Sequence, residues 1–390
     1  MHVDIAIVGA GPAGLCLARS LSGNGLSILL IDRQPLAAVS EPAEDGREIA
    51  LTHASRAELQ RLGMWSRIDP EDVSPLRDAQ VLNGPSLFTL RIEAEQAGAQ
   101  QLGYFVSNQM IRRAAFDAVH ECADVSLVCG RALRSLQVRQ DGVALTLDDD
   151  SRVHARLLVA ADSRFSETRR MLGIGASMED FGKTMMVCRM AHEKPHHNVA
   201  WEWFGYGQTL ALLPINGDRS SVVLTLPQRE MAPLLELDEQ AFAREMERRF
   251  DRRLGGMELL GARHSYPLVG VYSDRFVGPR SALIGDAAVG MHPVTAHGFN
   301  FGLQSQRRLA NEILATHRRG GDIGGTWPLR RYAMAHRLAT WPLYQATRLI
   351  VGMYTDPRPP VRLLRNAGLR LAQNLPPLRT AIAKHLTQGA

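Results

Sequence analysis

Four short stretches of this 390-residue chain gather residues that can do chemistry. Near the start, Gly9, Gly11, Pro12, Ala13 and Gly14 form a GxGxxG turn, and Asp32 and Arg33 close the next apolar run. Further on, Asp162, Ser166 and Arg169 are spaced along "ADSRFSETR". Gly285 and Asp286 end "SALIGD", and His292, Pro293, His297, Gly298, Phe299 and Asn300 crowd into "HPVTAHGFNFGL". The glycine turn points to phosphate chemistry. Its first glycine permits a tight turn, its second a close approach of pyrophosphate, its third close packing of a helix on a sheet. Free N–H groups at that helix start would face the phosphates, and a carboxylate about twenty residues on would accept from a ribose hydroxyl.

The elements that must position these residues are legible around them. Residues 3–8 alternate and, after Asp4, run apolar, as a buried parallel strand should. Pro12 suits the first turn of a helix, where its missing N–H is no loss. "SILLID" reads as a second strand ending at Asp32. Strand, glycines, helix, strand and acid in register make a dinucleotide site, and no second GxGxxG follows. Asp162 and Asp286 each follow a strand-like run, where a short acid can bond the ribityl hydroxyls of a flavin or cap a helix. Their order after the dinucleotide unit selects FAD over NAD as the resident cofactor. The helix start at 298–300 would then aim N–H groups at the anionic edge of a reduced flavin.

With these motifs in place, the chain resembles the group A flavoprotein monooxygenases, the aromatic hydroxylases of the p-hydroxybenzoate hydroxylase fold. Ser163 stands where that family has the glycine of its Asp-Gly motif, and Arg47 where it has an arginine near the cofactor. Within the family the chain is similar to the ubiquinone-biosynthesis hydroxylases. "LGYFVSNQM", which contains Asn108 and Gln109, matches their GY-x-V-x-N segment, and the loop from His292 matches their HP-x-x-GQGxNxGL, with Ala296–His297 replacing Gly-Gln. The resemblance implies FAD bound by the residues named above, NADH or NADPH as transient electron donor, and O2 as co-substrate. It implies hydroxylation of a hydrophobic aromatic ring through a flavin 4a-hydroperoxide, with demethoxyubiquinol 5-hydroxylation as the type. His292, Pro293 and His297 would lie beside the reacting edge. Other quinone-biosynthesis enzymes are implied partners.

The expected architecture is α/β: a Rossmann-like FAD-binding domain in three segments (1–75, 100–180 and 270–340). Residues 76–99 and 181–269 form an antiparallel-sheet substrate domain, with "NGD" (216–218) as a hairpin turn and a helix near 238–253. Residues 341–390 form a basic helical region broken at Pro359–Pro360 and Pro376–Pro377. Its last part has no Asp or Glu after Pro357 but carries Arg358, Arg362, Arg365, Arg370, Arg379 and Lys384. That pattern suits a solvated helix or a surface that meets anionic lipid.

The bulk composition excludes several classes. Apolar residues make up 45% of the chain and the formal net charge is +5, so this is a globular protein. There is no spanning apolar run, no leader with a cleavage site, no metal-ligand spacing, no G-x-S-x-G elbow and no nucleic-acid motif. Cys16, Cys122, Cys129 and Cys188 read as free thiols in a reducing cytoplasm, and the basic tail adds the expectation of peripheral contact at the inner membrane surface. The oligomeric state stays open. Hydroxylation of a soluble aromatic or polyketide is the competing activity. A non-catalytic FAD-containing accessory protein is the competing class. A flavin halogenase is disfavoured, because "WEWFGY" (201–206) lacks the Ile-Pro of WxWxIP.

Overall fold

The computed structural model describes residues 1–84, 89–205, 207–292 and 297–355, together with Asn374, Thr380, Ala383, Lys384, Leu386 and Thr387. The strand His2–Val8 lies at the centre of the first sheet. Arg152–Ala160 and Ile28–Asp32 flank it in parallel, and Ser281–Leu283 and Val125–Cys129 extend the sheet on either side. Ile5, Ala6 and Ile7 have no exposed surface, as a parallel strand covered on both faces requires. Helices Pro12–Leu21, Asn108–His120 and Gly298–His317 bury their apolar stripes on one face. A hairpin of Leu133–Val138 and Val143–Leu147 covers the other face, with Leu145 packed among Val3, Ala6 and Leu29. This is the expected Rossmann-like unit, built from segments far apart in sequence.

The second sheet has eight strands and is antiparallel except where Val199–Phe204 pairs in parallel with Asp78–Asn83. Thr209–Ile215 and Arg219–Pro227 form the expected hairpin around Asn216, Gly217 and Asp218. Side chains alternate between its faces. Leu210, Leu212, Val222 and Leu224 pack beneath helices Gln228–Leu235 and Glu239–Arg249, whose Met231, Phe242 and Met246 complete a separate core. Ala211, Leu213 and Val223 point the other way, into a cavity. Residues 78–83 and 89–93 join this sheet, as the sequence predicts. A small third sheet (Glu48–Leu51, Gly103–Ser107, Val73–Leu76) bridges the two units.

The expected domain edges move. Strands Ala176–His192 and Met257–Ser273 pair from Ala176↔Ser273 to His192↔Met257, so both run through the expected edges at 180 and 269. A ladder continues while it finds partners, and nothing in the composition marks that end. The edge at 340 falls inside helix Thr326–Thr355, which carries Pro342 without stopping. The expected breaks at Pro359–Pro360 and Pro376–Pro377, and most of the basic tail, lie outside the described residues.

Candidate functional site

A cavity of about 1540 Å3 runs from the glycine turn to the open face of the eight-stranded sheet. At one end Gly9, Gly11, Pro12 and Ala13 form its wall. Gly9 has φ +111°, and a Cβ there would overlap the backbone of Ala161 and Asp162. A Cβ on Gly14 would fall into the carbonyl of Gly9, so this residue sets how closely the helix meets the turn and does not itself face the cavity. A Cβ on Gly11 would meet nothing within 4 Å. Protein atoms therefore demand two of the glycines, while the third faces open space at a helix start, where a phosphate could approach the backbone.

Asp32 and Arg33 line the cavity beside the turn. The Asp32 carboxylate accepts from the N–H of Ala10 at 2.6 Å and from that of Gln34 at 2.8 Å, so it shapes the turn as well as facing a ligand. Arg47 and Asn108 also line the cavity and converge on one acid that sequence reading missed. Arg47 pairs with Asp45 at 2.6 Å, and Asn108 Nδ2 donates to the same carboxylate at 2.7 Å. Burial opposes ionisation of Asp45, but the bonds from Arg47 and Asn108 outweigh it and hold the carboxyl below its usual range. Arg47 is thus held by a protein carboxylate, not offered bare to phosphate. Gln109, one helical position on, does not reach the cavity wall.

The two acid motifs meet across the cavity. Asp162 accepts from Ser166 Oγ at 2.5 Å and from the N–H of Thr168 at 3.0 Å, so it anchors the short helix Glu167–Met171 while lining the cavity. Ser163 has φ +81°, the left-handed conformation in which a glycine would be unstrained. The residue type departs from the resembling family while the backbone keeps the glycine shape. Arg164, unremarked in the sequence, donates to Asp286 at 3.1 Å and to the carbonyl of Val269 at 3.1 Å. Arg169, expected to bind cofactor, is 2% exposed and away from the cavity. Its guanidinium donates to the carbonyls of Arg164 and Ala287 and ties the two motif loops together. Its placement is a correction: the buried guanidinium lies beside carbonyls of both motif loops and donates to those instead of lining the cavity.

Gly285 sits against the first motif, since a Cβ on it would lie 2.9 Å from Ala13 Cβ. The helix Gly298–His317 starts at the cavity, where Gly298, Phe299 and Asn300 form the wall. A Cβ on Gly298 would meet nothing within 4 Å. Asn300 donates to the carbonyl of Ala50 at 2.9 Å and accepts from the N–H of Thr52 at 3.3 Å, so it ties this helix start to strand Glu48–Leu51 and to the cap of helix His53–Arg61. His292 and His297 line the cavity, and Pro293 lies outside the described residues. His292 stacks edge-on against Phe181 at 4.9 Å. Burial, with Lys183 nearby, pushes its pKa down to about 4, so it is neutral at physiological pH. No group of three or more His, Cys, Asp or Glu suited to a metal occurs among the described residues.

The residues present fit a long dinucleotide: a cradle at Gly11, an acid at Asp32, two acids at mid-cavity and an open helix start at Gly298. The family described as FAD binding domain matches residues 2–344. This chain belongs to that family. The FAD-binding chain is 46% identical to the ubiquinone hydroxylase UbiM of Neisseria meningitidis, over 99% of itself and 85% of that protein. It is 34% identical to the ubiquinone hydroxylase UbiL of Rhodospirillum rubrum, over 98% of itself and 89% of that protein. Among solved structures, the p-nitrophenol 4-monooxygenase PnpA of Pseudomonas putida superposes with a TM-score of 0.80 over 100% of this chain and 99% of that one, at 16% identity. That likeness shows the fold. The protein is an FAD-dependent monooxygenase of the p-hydroxybenzoate hydroxylase fold. No helix among its described residues is long and apolar enough to cross a membrane.

Proposed function

We propose that this monooxygenase hydroxylates a polyprenylated phenol or quinol of ubiquinone biosynthesis, with NADH or NADPH as electron donor and demethoxyubiquinol as the type substrate. The observation that carries this reading is the far half of the cavity. Beyond the flavin motifs its floor is largely aliphatic, with Val81, Leu90, Ile92, Val187, Leu213 and Val223 on the sheet beside the polar Gln80, Glu202, Thr209, Ser221 and Thr225. Leu343 and Ile350 of the C-terminal helix and Leu386 close it from above. A space of this kind suits a ring with a hydrocarbon chain better than a small polar aromatic. The names carried by the two curated relatives support the same substrate class.

Bound FAD would take up the hydride and react with O2; the protein's part is to bind, orient and exclude water. Gly9, Gly11 and Asp32 would hold the nucleotide end, and Asp162 and Asp286 the middle. The first-turn N–H groups at Gly298 and Phe299 have no intrahelical partners and would stabilise negative charge at the ring. His292, neutral and half-buried, would wall the reacting side without adding charge.

Contact with an anionic membrane surface is part of this reading. On helix Thr326–Thr355, Trp327, Met334, Leu338, Trp341 and Leu349 are all exposed and fall within one face at 3.6 residues per turn. Arg330, Arg331, Arg337 and Arg348 flank them and are exposed. Apolar side chains bordered by arginines suit an interfacial helix that lets a lipid-dissolved substrate pass into the enzyme.

The test is direct. FAD-loaded protein with NADH and a short-chain demethoxyubiquinol should yield a product heavier by one oxygen, with 18O2 as its source. NADH oxidation unchanged by the quinol, with no oxygenated product, would refute the reading. Restored quinone synthesis in a hydroxylase-deficient bacterium would place the step.

A further inference from the structure

Strand Val199–Phe204 turns Ala200, Glu202 and Phe204 to the cavity, while Trp201 and Trp203 pack on the helical core behind, with part of Trp201 also reaching the cavity wall. Period-two alternation places an apolar residue at the middle position; the sequence places a carboxylic acid there. Glu202 stands opposite Ala211 on one side and Val81 on the other, in a row that continues to Val223. The cavity-facing residues of these strands and of Thr89–Glu93 include no Lys, Arg or His. The Glu202 carboxyl has neither a hydrogen bond nor an ion pair among the described residues, and its accessible surface opens to the interior cavity. Burial alone pushes its pKa up to about 8, so it carries its proton at neutral pH.

A carboxyl group with no partner in an aliphatic wall is costly to bury, and the cost is removed by a ligand that bonds it. A protonated carboxyl donates one bond and accepts another, which matches a neutral hydroxyl better than a cation or an anion. We propose that Glu202 is a substrate-binding residue: it hydrogen-bonds a ring hydroxyl of the aromatic substrate and so fixes which edge of the ring is presented, while the surrounding aliphatic side chains hold the hydrocarbon. This rests on the aromatic-hydroxylase reading and adds the group that selects among ring orientations.

The experiment uses FAD-loaded enzyme and two probes, 2-pentylphenol and pentylbenzene, with affinity read from the perturbation of flavin absorbance. Wild type should bind the phenol more tightly. Glu202→Leu should weaken phenol binding by about tenfold and leave pentylbenzene unchanged, the scale of one neutral hydrogen bond. Glu202→Gln, which keeps a donor and an acceptor, should stay within about threefold of wild type. Glu202→Ala cannot overfill the wall and should repeat the loss if the leucine variant folds poorly. Equal affinity of wild type and both apolar variants for the phenol overturns the assignment while leaving the hydroxylase reading intact. A wild-type enzyme that neither binds nor oxygenates any phenol overturns both.

Discussion

The two ends of the cavity are built on different physics. At the nucleotide end the determinants are backbone: a turn at Gly9, a carbonyl that Gly14 must clear, and open space over Gly11. At the far end they are side chains from the strands of one sheet and from a helix near the other end of the chain. Backbone sites tolerate almost no variation in residue type. Side-chain walls tolerate much, provided volume and polarity are kept. One end is therefore fixed to a cofactor, and the other is free to change substrate.

Substitutions at the glycine turn give the largest effect and can break this contrast. Gly14→Val should yield protein without flavin and prone to misfold, because its side chain enters the carbonyl of Gly9; flavin absorbance per protein and a melting curve check it. Gly11→Val should separate the two demands. The apoprotein should melt close to wild type, since a Cβ there meets no protein atom within 4 Å, while FAD affinity falls by more than tenfold. If Gly11→Val unfolds the protein, the open space is not a ligand cradle.

At the reacting side the expected effect is smaller and depends on pH. His292 has a folded pKa near 4, below the ordinary value of 6.5. The unfolded chain takes up the proton first, so the stability this site contributes is present above about pH 6.5 and is lost as pH falls toward 4. His336, buried beside Arg308 with its pKa pushed down to about 3, adds to the same trend. His292→Asn should therefore lessen, without abolishing, the drop in melting temperature between pH 7.5 and 5. An unchanged drop would show that His292 is not desolvated. Least of all, Asp286→Asn removes a half-exposed pair with Arg164 and should cost less than about 1 kcal/mol of stability, while FAD retention falls more clearly. Chemical denaturation and flavin release measured together decide it.

The contrast also explains what the sequence made legible. Gly9 to Asp32 could be read because a phosphate turn needs its residue types at fixed local spacing. The hairpin around Asn216 could be read because turn chemistry is local as well. Arg164 and Asp45 were missed because their meaning lies in partners brought together by folding: Asp286 for one, Arg47 and Asn108 for the other. Arg169 was misplaced for the converse reason, since its spacing fits the motif while its guanidinium turns to backbone carbonyls. Glu202 left one faint signal, an acid at the apolar beat of a strand. The edges at 180, 269 and 340 fall inside continuous strands and a helix, where no change of composition marks a boundary.

The contact between Gly285 and Ala13 sets a timetable for biosynthesis. The glycine turn leaves the ribosome almost at once, but its wall is incomplete until strand Ser281–Leu283 has paired with Arg152–Ala160 and Asn300 has reached Ala50 and Thr52. At a translation rate of about 5–20 residues per second, the first 300 residues take roughly 15–60 s. During that interval the nascent chain holds an unfinished nucleotide site, so flavin can be captured only late in synthesis or after release. Scarcity of FAD in the cell would then lower the yield of folded enzyme as well as its activity.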